Sequence, residues 1–367
     1  MKILFWTDGF WPRIGGTETQ GMEFIEGMQS RGHSFTVIAQ KDTPYHTEDE
    51  IYKGTSIRRF DFNAIIEKKN LKIIASIQNY LHSVRMEFQP DIIYLNTFSW
   101  GSSFVFLLFR QMFSIPAIAT SHAPHYVDKM PNLTVKICNQ LDHICCVSDW
   151  ALRTMKNLIP SQKSKLKRIY CALSEPKNAP TPLSFSPPTI LILGRLSSEK
   201  GFDTAIEAFA LLKNNGSDAK LLIAGEGSER PFLEHLVDRF NIRHSVEFTG
   251  KLERTQVYST INQATFVVVP SHLEAFGLVA LESLQMKRPV IASNVGSLPE
   301  IITHRLTGLL APPQNPVAFY EAMKEFIQNP EETKKMGERG FESSKQYSLQ
   351  SHLDQYENLF REYNSCH

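Results

Sequence analysis

Short apolar runs alternate along this chain with longer amphipathic stretches, and polar, glycine-rich loops separate them. Four to six consecutive Val, Ile, Leu or Phe residues without polar alternation suit a parallel strand buried on both faces. This pattern predicts strands at 2–6, 35–39, 91–95, 117–120 and 144–147. Further strands are predicted at 189–193, 221–224, 246–249 and 265–269, with a short one after Pro289. Helical periodicity fills the gaps, from Thr17 to Arg31, near 70–88 and 100–113, after the N-cap candidate Ser148, and from Phe202. It returns at 254–262, 277–285, 315–328 and 331–363. Strand, loop and helix repeated in this way predict an α/β chain with doubly wound sheets. Residues 41–54 are polar and acidic and read as a surface loop. Residues 174–188 carry five prolines and no periodicity, which predicts a stiffened linker. It divides a domain at 1–173 from one at 189–345, with a helical tail at 346–367.

Candidate chemistry falls where strands end. The run Thr265–Val269 stops at Pro270-Ser271, a loop carries Glu274, and a helix from Gly277 carries Glu282. Loops at the carboxyl edge of an open α/β sheet are where ligands bind, and the first N–H groups of the following helix welcome an anion. Glu282 shares its helical face with Leu278, Val279 and Met286. An acid there is either one half of an ion pair, with Arg288 as a partner, or a carboxylate that grips vicinal hydroxyls. Arg195 and Lys200, five apart between a strand and a helix, are either solvated surface cations or a diphosphate clamp. Gly15-Gly16 follows the first strand without the G-x-G-x-x-G spacing, so a dinucleotide site is discounted. The pair is either a flexible turn or a place where backbone approaches a ligand. Gly225-Glu-Gly227 is a weaker G-x-G turn, and His122 and His125 follow the strand at 117–120.

The run Glu274-Ala-Phe-Gly-Leu-Val-Ala-Leu-Glu282 resembles the E-x7-E signature of the family 4 retaining glycosyltransferases, which have the GT-B fold. The upstream Pro270-Ser271, the downstream Pro289-Val-Ile-Ala-Ser293 and Gly296-Ser-Leu-Pro-Glu300, Gly194-Arg195 with Lys200-Gly201, and Pro12-Arg-Ile-Gly-Gly-Thr-Glu18 strengthen it. The resemblance implies two Rossmann-like doubly wound domains facing across a cleft, with the final helix returning to the first domain. It implies transfer of a sugar from a nucleotide-diphospho-sugar, UDP- or GDP-linked, to an acceptor hydroxyl of a glycan or lipid with retention of configuration. Arg195 and Lys200 would neutralise the leaving diphosphate, Glu282 would hold the ribose, and Glu274, with the Ala275, Phe276, Gly277 and Leu278 backbone, the donor sugar. Gly15 and Gly16 would lie beside the diphosphate, Gly225 would contribute backbone contacts, and His122 would contact the sugar, while His125 stays structural or acceptor-side. Ala123 departs from the acid that many relatives carry there. Competing readings are a GT-B epimerase or phosphorylase and a non-catalytic sugar-nucleotide-binding subunit.

Composition narrows this further. Apolar residues make up 42% of 367 and charged ones 21%, the profile of a globular chain. With 39 basic and 38 acidic residues, nucleic acid is not an expected partner. Twenty basic against 16 acidic residues place the mild positive excess in the first 175 positions. Lys163, Lys165, Lys167 and Arg168, and separately Lys68, Lys69 and Lys72, form patches that are either solvated surface or a peripheral membrane contact. Five cysteines without C-x-x-C spacing read as reduced thiols, and no apolar run is long enough for a signal or a span, so a cytoplasmic location is expected. The chain contains no Asp-x-Asp, and no metal or cofactor is expected.

Overall fold

The computed structural model describes residues 1–13, 15–41, 49–68, 71–97, 100–122 and 131–364. Ala123, His125 and Lys69, and Cys366 of the five cysteines, lie outside the described residues. The chain forms two compact units, Met1–Ala172 with Leu349–His367, and Leu173–Ser348.

Among the described residues of the first unit, eight strands form one sheet. They are β1 (Lys2–Thr7), β2 (Ser34–Gln40), β3 (Asp49–Tyr52), β4 (Thr55–Phe60), β5 (Ile92–Leu95), β6 (Ala117–Ser121), β7 (His143–Cys146) and β8 (Leu166–Arg168). The order is β3-β4-β2-β1-β5-β6-β7-β8, parallel except for the β3–β4 pair. Within the surface loop expected at 41–54, of which 42–48 lie outside the described residues, 49–54 instead form a strand and turn of that hairpin. Its acids are partnered across the ladder, Asp49 with Arg58 and Glu50 with Arg59, so charge that reads as loop serves an edge strand. Ile3, Phe5, Val37, Ile92 and Ile118 fill one face of the sheet. Helix Leu349–Asn364 packs there too, through Leu353, Tyr356, Leu359 and Phe360. Each such side chain stabilises the unit by roughly 1.5–3 kcal/mol when fully buried. The helical tail expected over 331–363 comprises Pro330–Ser344 and Leu349–Asn364, on either side of the unit boundary.

The second unit is built on β9 (Thr189–Leu193), β10 (Lys220–Ala224), β11 (Val246–Gly250), β12 (Phe266–Val269), β13 (Val290–Ser293) and β14 (Gly308–Ala311). All pair in parallel in the order β11-β10-β9-β12-β13-β14. The chain reverses direction across the sheet between β9 and β12, which are hydrogen-bonded neighbours with Ile192 opposite Val268. This is the switch point of a doubly wound sheet, where the loops after two adjacent strands diverge and leave room for a ligand.

Residues 174–188, the proline-stiffened linker expected from the sequence, group with the second unit. Thr181 bonds to Asn262, and Thr265 Oγ1 donates to the Ser184 carbonyl. Arg288 completes the attachment. Its guanidinium is fully buried and donates to the carbonyls of Thr181 (2.8 Å), Met286 (3.0 Å) and Asn262 (2.6 Å). Burial lowers its pKa to about 10, and backbone oxygens surround it where the sequence suggested Glu282.

Candidate functional site

The switch point assembles the second unit's site. After β9 the loop Gly194–Gly201 carries Arg195, exposed, and Lys200, partly buried. After β12 the loop Pro270–Gly277 carries Glu274. Lys200 Nζ lies 2.7 Å from Glu274 Oε2, with the side chains 29% and 14% exposed, so residues 74 positions apart form one charged centre. Ser271 Oγ donates to the same carboxylate oxygen at 3.2 Å. A backbone bond from His272 N to the Glu199 carbonyl, 2.9 Å, ties the two loops together. Gly201 makes this approach feasible. It holds φ +63°, and a Cβ there would lie 2.2 Å from the Pro270 carbonyl and 2.8 Å from the His272 ring.

The Glu274 loop is held from behind by Ser297, whose hydroxyl donates to the Phe276 carbonyl at 2.7 Å and whose N–H bonds the Glu274 carbonyl at 3.1 Å. Phe276 is buried and meets Tyr347 edge-on at 5.7 Å. Ala275 and Leu278 are half-buried in the same turn, and Gly277 adopts φ +104° as the N-cap of helix Leu278–Gln285. The helix therefore begins within the site, with its first N–H groups available to an anion.

Glu282, one turn further, is buried and pairs with Arg254 at the start of helix Arg254–Gln263. The expected partner Arg288 is engaged elsewhere, as described. The Arg254 guanidinium lies 5.1 Å from the Tyr258 ring, and the Tyr258 hydroxyl donates to Gln285 Oε1 at 2.8 Å. Arg254, Ser271 and Ser297 were not singled out as site residues. Arg254 carries a readable signal in its charge at a helix start after a strand, whereas the serines lie within the Pro-Ser and Gly-Ser-Leu-Pro-Glu motifs with no spacing to mark them. Gly225 lines the neighbouring loop. A Cβ there would lie 1.8 Å from the Gly194 carbonyl, so the close packing of the β9 and β10 loops requires glycine.

In the first unit Gly15 is the extended N-cap of helix Gly16–Ser30. The Glu18 carboxylate folds back over Gly9 and Gly15, where a Cβ would meet it at 2.1 and 2.3 Å, and pairs with Arg13 at 3.0 Å. His122, at the end of β6, lies with Nε2 3.4 Å from Asn96 Oδ1 and Nδ1 3.8 Å from Cys171 Sγ. Burial, with the neighbouring His352 adding, lowers its pKa to about 4. The four described cysteines, Cys138, Cys145, Cys146 and Cys171, are free and buried, and burial raises every one of their thiols. Of the basic patch, Lys165 donates to the Cys138 and Leu141 carbonyls and Arg168 pairs with Asp149, while Lys163 and Lys167 are exposed. Among the described residues no group of His, Cys, Asp or Glu is arranged to hold a metal ion, and no helix is long and apolar enough to cross a membrane.

Two family models match consecutive parts of the chain, "Glycosyltransferase Family 4" over 14–174 and "Glycosyl transferases group 1" over 176–343. An α-D-kanosaminyltransferase of Streptomyces kanamyceticus is 34% identical over 48% of this chain and 46% of its own, so the match spans about half of that relative. The sucrose-phosphate synthase of Thermosynechococcus elongatus superposes over 100% of both chains with a TM-score of 0.85 at 21% identity. Anabaena HepE, solved in complex with UDP and glucose, covers 98% of this chain and 99% of its own with a TM-score of 0.81 at 17% identity. These two structures share the fold, GT-B, with its two Rossmann-like units. With both models aligned end to end over a fold of that kind, the chain belongs to the family 4, group 1 glycosyltransferases.

Proposed function

We propose that the protein transfers a glycosyl group from a nucleotide-diphospho-sugar to a hydroxyl of a glycan or lipid acceptor, with the anomeric configuration retained. The observation that carries this reading is the Lys200–Glu274 pair at the switch point, with the buried Glu282 on the helix that follows. A cation and a helix N-terminus suit a diphosphate. Two carboxylates at different depths suit two sets of hydroxyls, the sugar's and the ribose's. In the reaction the bond from C1 of the sugar to the diphosphate oxygen breaks, and C1 bonds to the acceptor oxygen on the same face. The acceptor proton leaves with the nucleotide diphosphate. Arg195 and Lys200 take up the negative charge that develops on the leaving group, an electrostatic contribution of roughly 3–4 kcal/mol per well-placed donor. Glu274 holds the sugar hydroxyls and Glu282 the ribose. From the first unit, His122, Gly15 and Gly16 are assigned to the substrates. HepE was crystallised with UDP and glucose, which supports a uridine donor as the first to try.

The test is release of nucleotide diphosphate from a panel of UDP- and GDP-sugars, with and without saccharide and glycolipid acceptors, followed by NMR of the product's anomeric proton. Acceptor-dependent release with an axial donor giving an axial product is expected. Release without any acceptor product would favour an epimerase. Binding without turnover of any donor would favour the non-catalytic subunit.

A further inference from the structure

His122 is engaged at both ring nitrogens, and its neighbours fix which one carries the hydrogen. Asn96 Nδ2 donates to the Thr17 carbonyl at 3.4 Å, which turns Asn96 Oδ1 toward His122 Nε2, also at 3.4 Å. A carbonyl oxygen only accepts, so Nε2 must be the N–H. Nδ1 of the neutral ring then presents a lone pair, and the group facing it is the Cys171 thiol at 3.8 Å. A flipped Asn96 amide would set its oxygen against the Thr17 carbonyl. The other imidazole tautomer would set a lone pair against Asn96 Oδ1. Only one arrangement satisfies every contact.

Cys171 is itself held in place. On one side, Gln20 clamps Ala172, its Nε2 donating to the carbonyl at 2.5 Å and its Oε1 accepting from the N–H at 3.2 Å. On the other, His352 Nδ1 donates to the Tyr170 carbonyl at 2.6 Å. The sulfur is therefore fixed by backbone anchored at both neighbouring residues, and it is fully shielded. Burial raises the thiol and lowers the imidazole, which keeps the proton on sulfur and the ring neutral.

We propose that Cys171 is a positioning residue, its S–H donating to His122 Nδ1 and, with Asn96, locking the histidine as the Nε2–H tautomer in one ring orientation. The proposal rests on the reading that His122 serves the glycosyl transfer. It assigns His122 the role of a rigid neutral group, in place of a proton carrier that cycles between states.

The test is a long-range proton–nitrogen correlation spectrum of the full chain labelled with 15N-histidine, with the His122 signals assigned by His122→Gln. The expected spectrum at neutral pH has a pyrrole-like Nε2 and a pyridine-like Nδ1. Cys171→Ala should move the Nδ1 resonance toward that of an exchanging tautomer mixture. It should also lower kcat roughly three- to tenfold, the range for one weak hydrogen bond, with donor KM nearly constant. Cys171→Ser should restore both. A pyrrole-like Nδ1 in the wild type overturns the proposal, as does a Cys171→Ala spectrum identical to the wild type. If Cys171→Ala does not fold, the wild-type spectrum and Cys171→Ser decide. The spectra need no substrate, so the tautomer assignment fails independently of the reaction, which fails separately if no sugar nucleotide is turned over.

Discussion

The ion pair between Lys200 and Glu274 can be dissected by a double-mutant cycle in which stability and catalysis should part company. At 2.7 Å the gross attraction is roughly 6 kcal/mol at an effective dielectric constant of about 20. Most of that is cancelled by desolvation. Exposed pairs contribute about 0–1 kcal/mol, while breaking a fully buried one costs about 3–5 kcal/mol. With side chains 29% and 14% exposed, this pair falls between, so each single substitution, Lys200→Met or Glu274→Gln, should cost about 1–3 kcal/mol. For a unit of this size that lowers Tm by roughly 2–10 °C. The double variant leaves neither charge stranded and should recover most of the loss. Catalysis should show no such rescue. On the proposed function, Lys200→Met removes charge stabilisation of the leaving diphosphate and should lower kcat about 100- to 1000-fold. Glu274→Gln should lower kcat while leaving affinity for the bare nucleotide diphosphate nearly intact. Melting curves, initial rates and calorimetry with the bare nucleotide measure all three quantities. A Glu274→Gln enzyme as fast as the wild type, or faster because Lys200 is released, would refute the assignment of Glu274 to the sugar. A double variant whose Tm falls by the sum of the singles would show that the pair carries no coupling.

Glu282→Gln should weaken bare nucleotide binding by about 1.5–3 kcal/mol, the scale of hydrogen bonds to a charged group, and Arg254→Met should also weaken it by unpinning the carboxylate. Unchanged titrations for both variants sink the ribose assignment. Acid should destabilise the first unit, because burial depresses His122, His143 and His352 to about 4 from an ordinary 6.5. The unfolded chain takes up protons over that window and the folded one does not, so stability falls as pH drops from 6.5 toward 4, by about 1.4 kcal/mol per unit for each histidine. His143→Gln should remove about a third of that slope in chemical unfolding, and a pH-independent midpoint counts against the burial of all three. Activity should survive EDTA, since the proposed function gives Arg195, Lys200 and a helix N-terminus the task of neutralising the diphosphate. Loss in EDTA that manganese restores would contradict this. With Lys165 and Arg168 engaged internally, the exposed Lys163 and Lys167 should give only weak, salt-sensitive flotation with anionic liposomes, near 1 kcal/mol each (about fivefold); strong binding at high salt would point to apolar insertion instead.

Local patterns were enough to identify most strands and helices, because a strand buried on both faces must be an unbroken apolar run whatever its neighbours. They also offered Glu274, Glu282, Arg195 and Lys200 as candidates, since residue type and spacing within one strand–loop–helix segment are properties of the segment alone. Charged edge segments escaped that logic. Asp49–Tyr52 pairs as an edge strand with Thr55–Phe60, where Arg58 and Arg59 answer its acids. Partnership was likewise invisible. Nothing in the chain says that Lys200 meets Glu274, because that follows from β9 lying beside β12 at the sheet's switch point. Arg288, six residues from Glu282, was the local choice of partner, yet the helix carries it past the carboxylate into a nest of carbonyls, and Arg254 arrives from 28 residues upstream. Proline content marked 174–188 as a stiffened linker, and only the tertiary structure shows Thr181 bonded to Asn262 and Ser184 to Thr265. Periodicity and motif spacing are short-range, so the sequence by itself determined which residues can carry charge to a loop. The order of strands in a sheet depends on how the whole chain winds, and only that winding decided which charges meet.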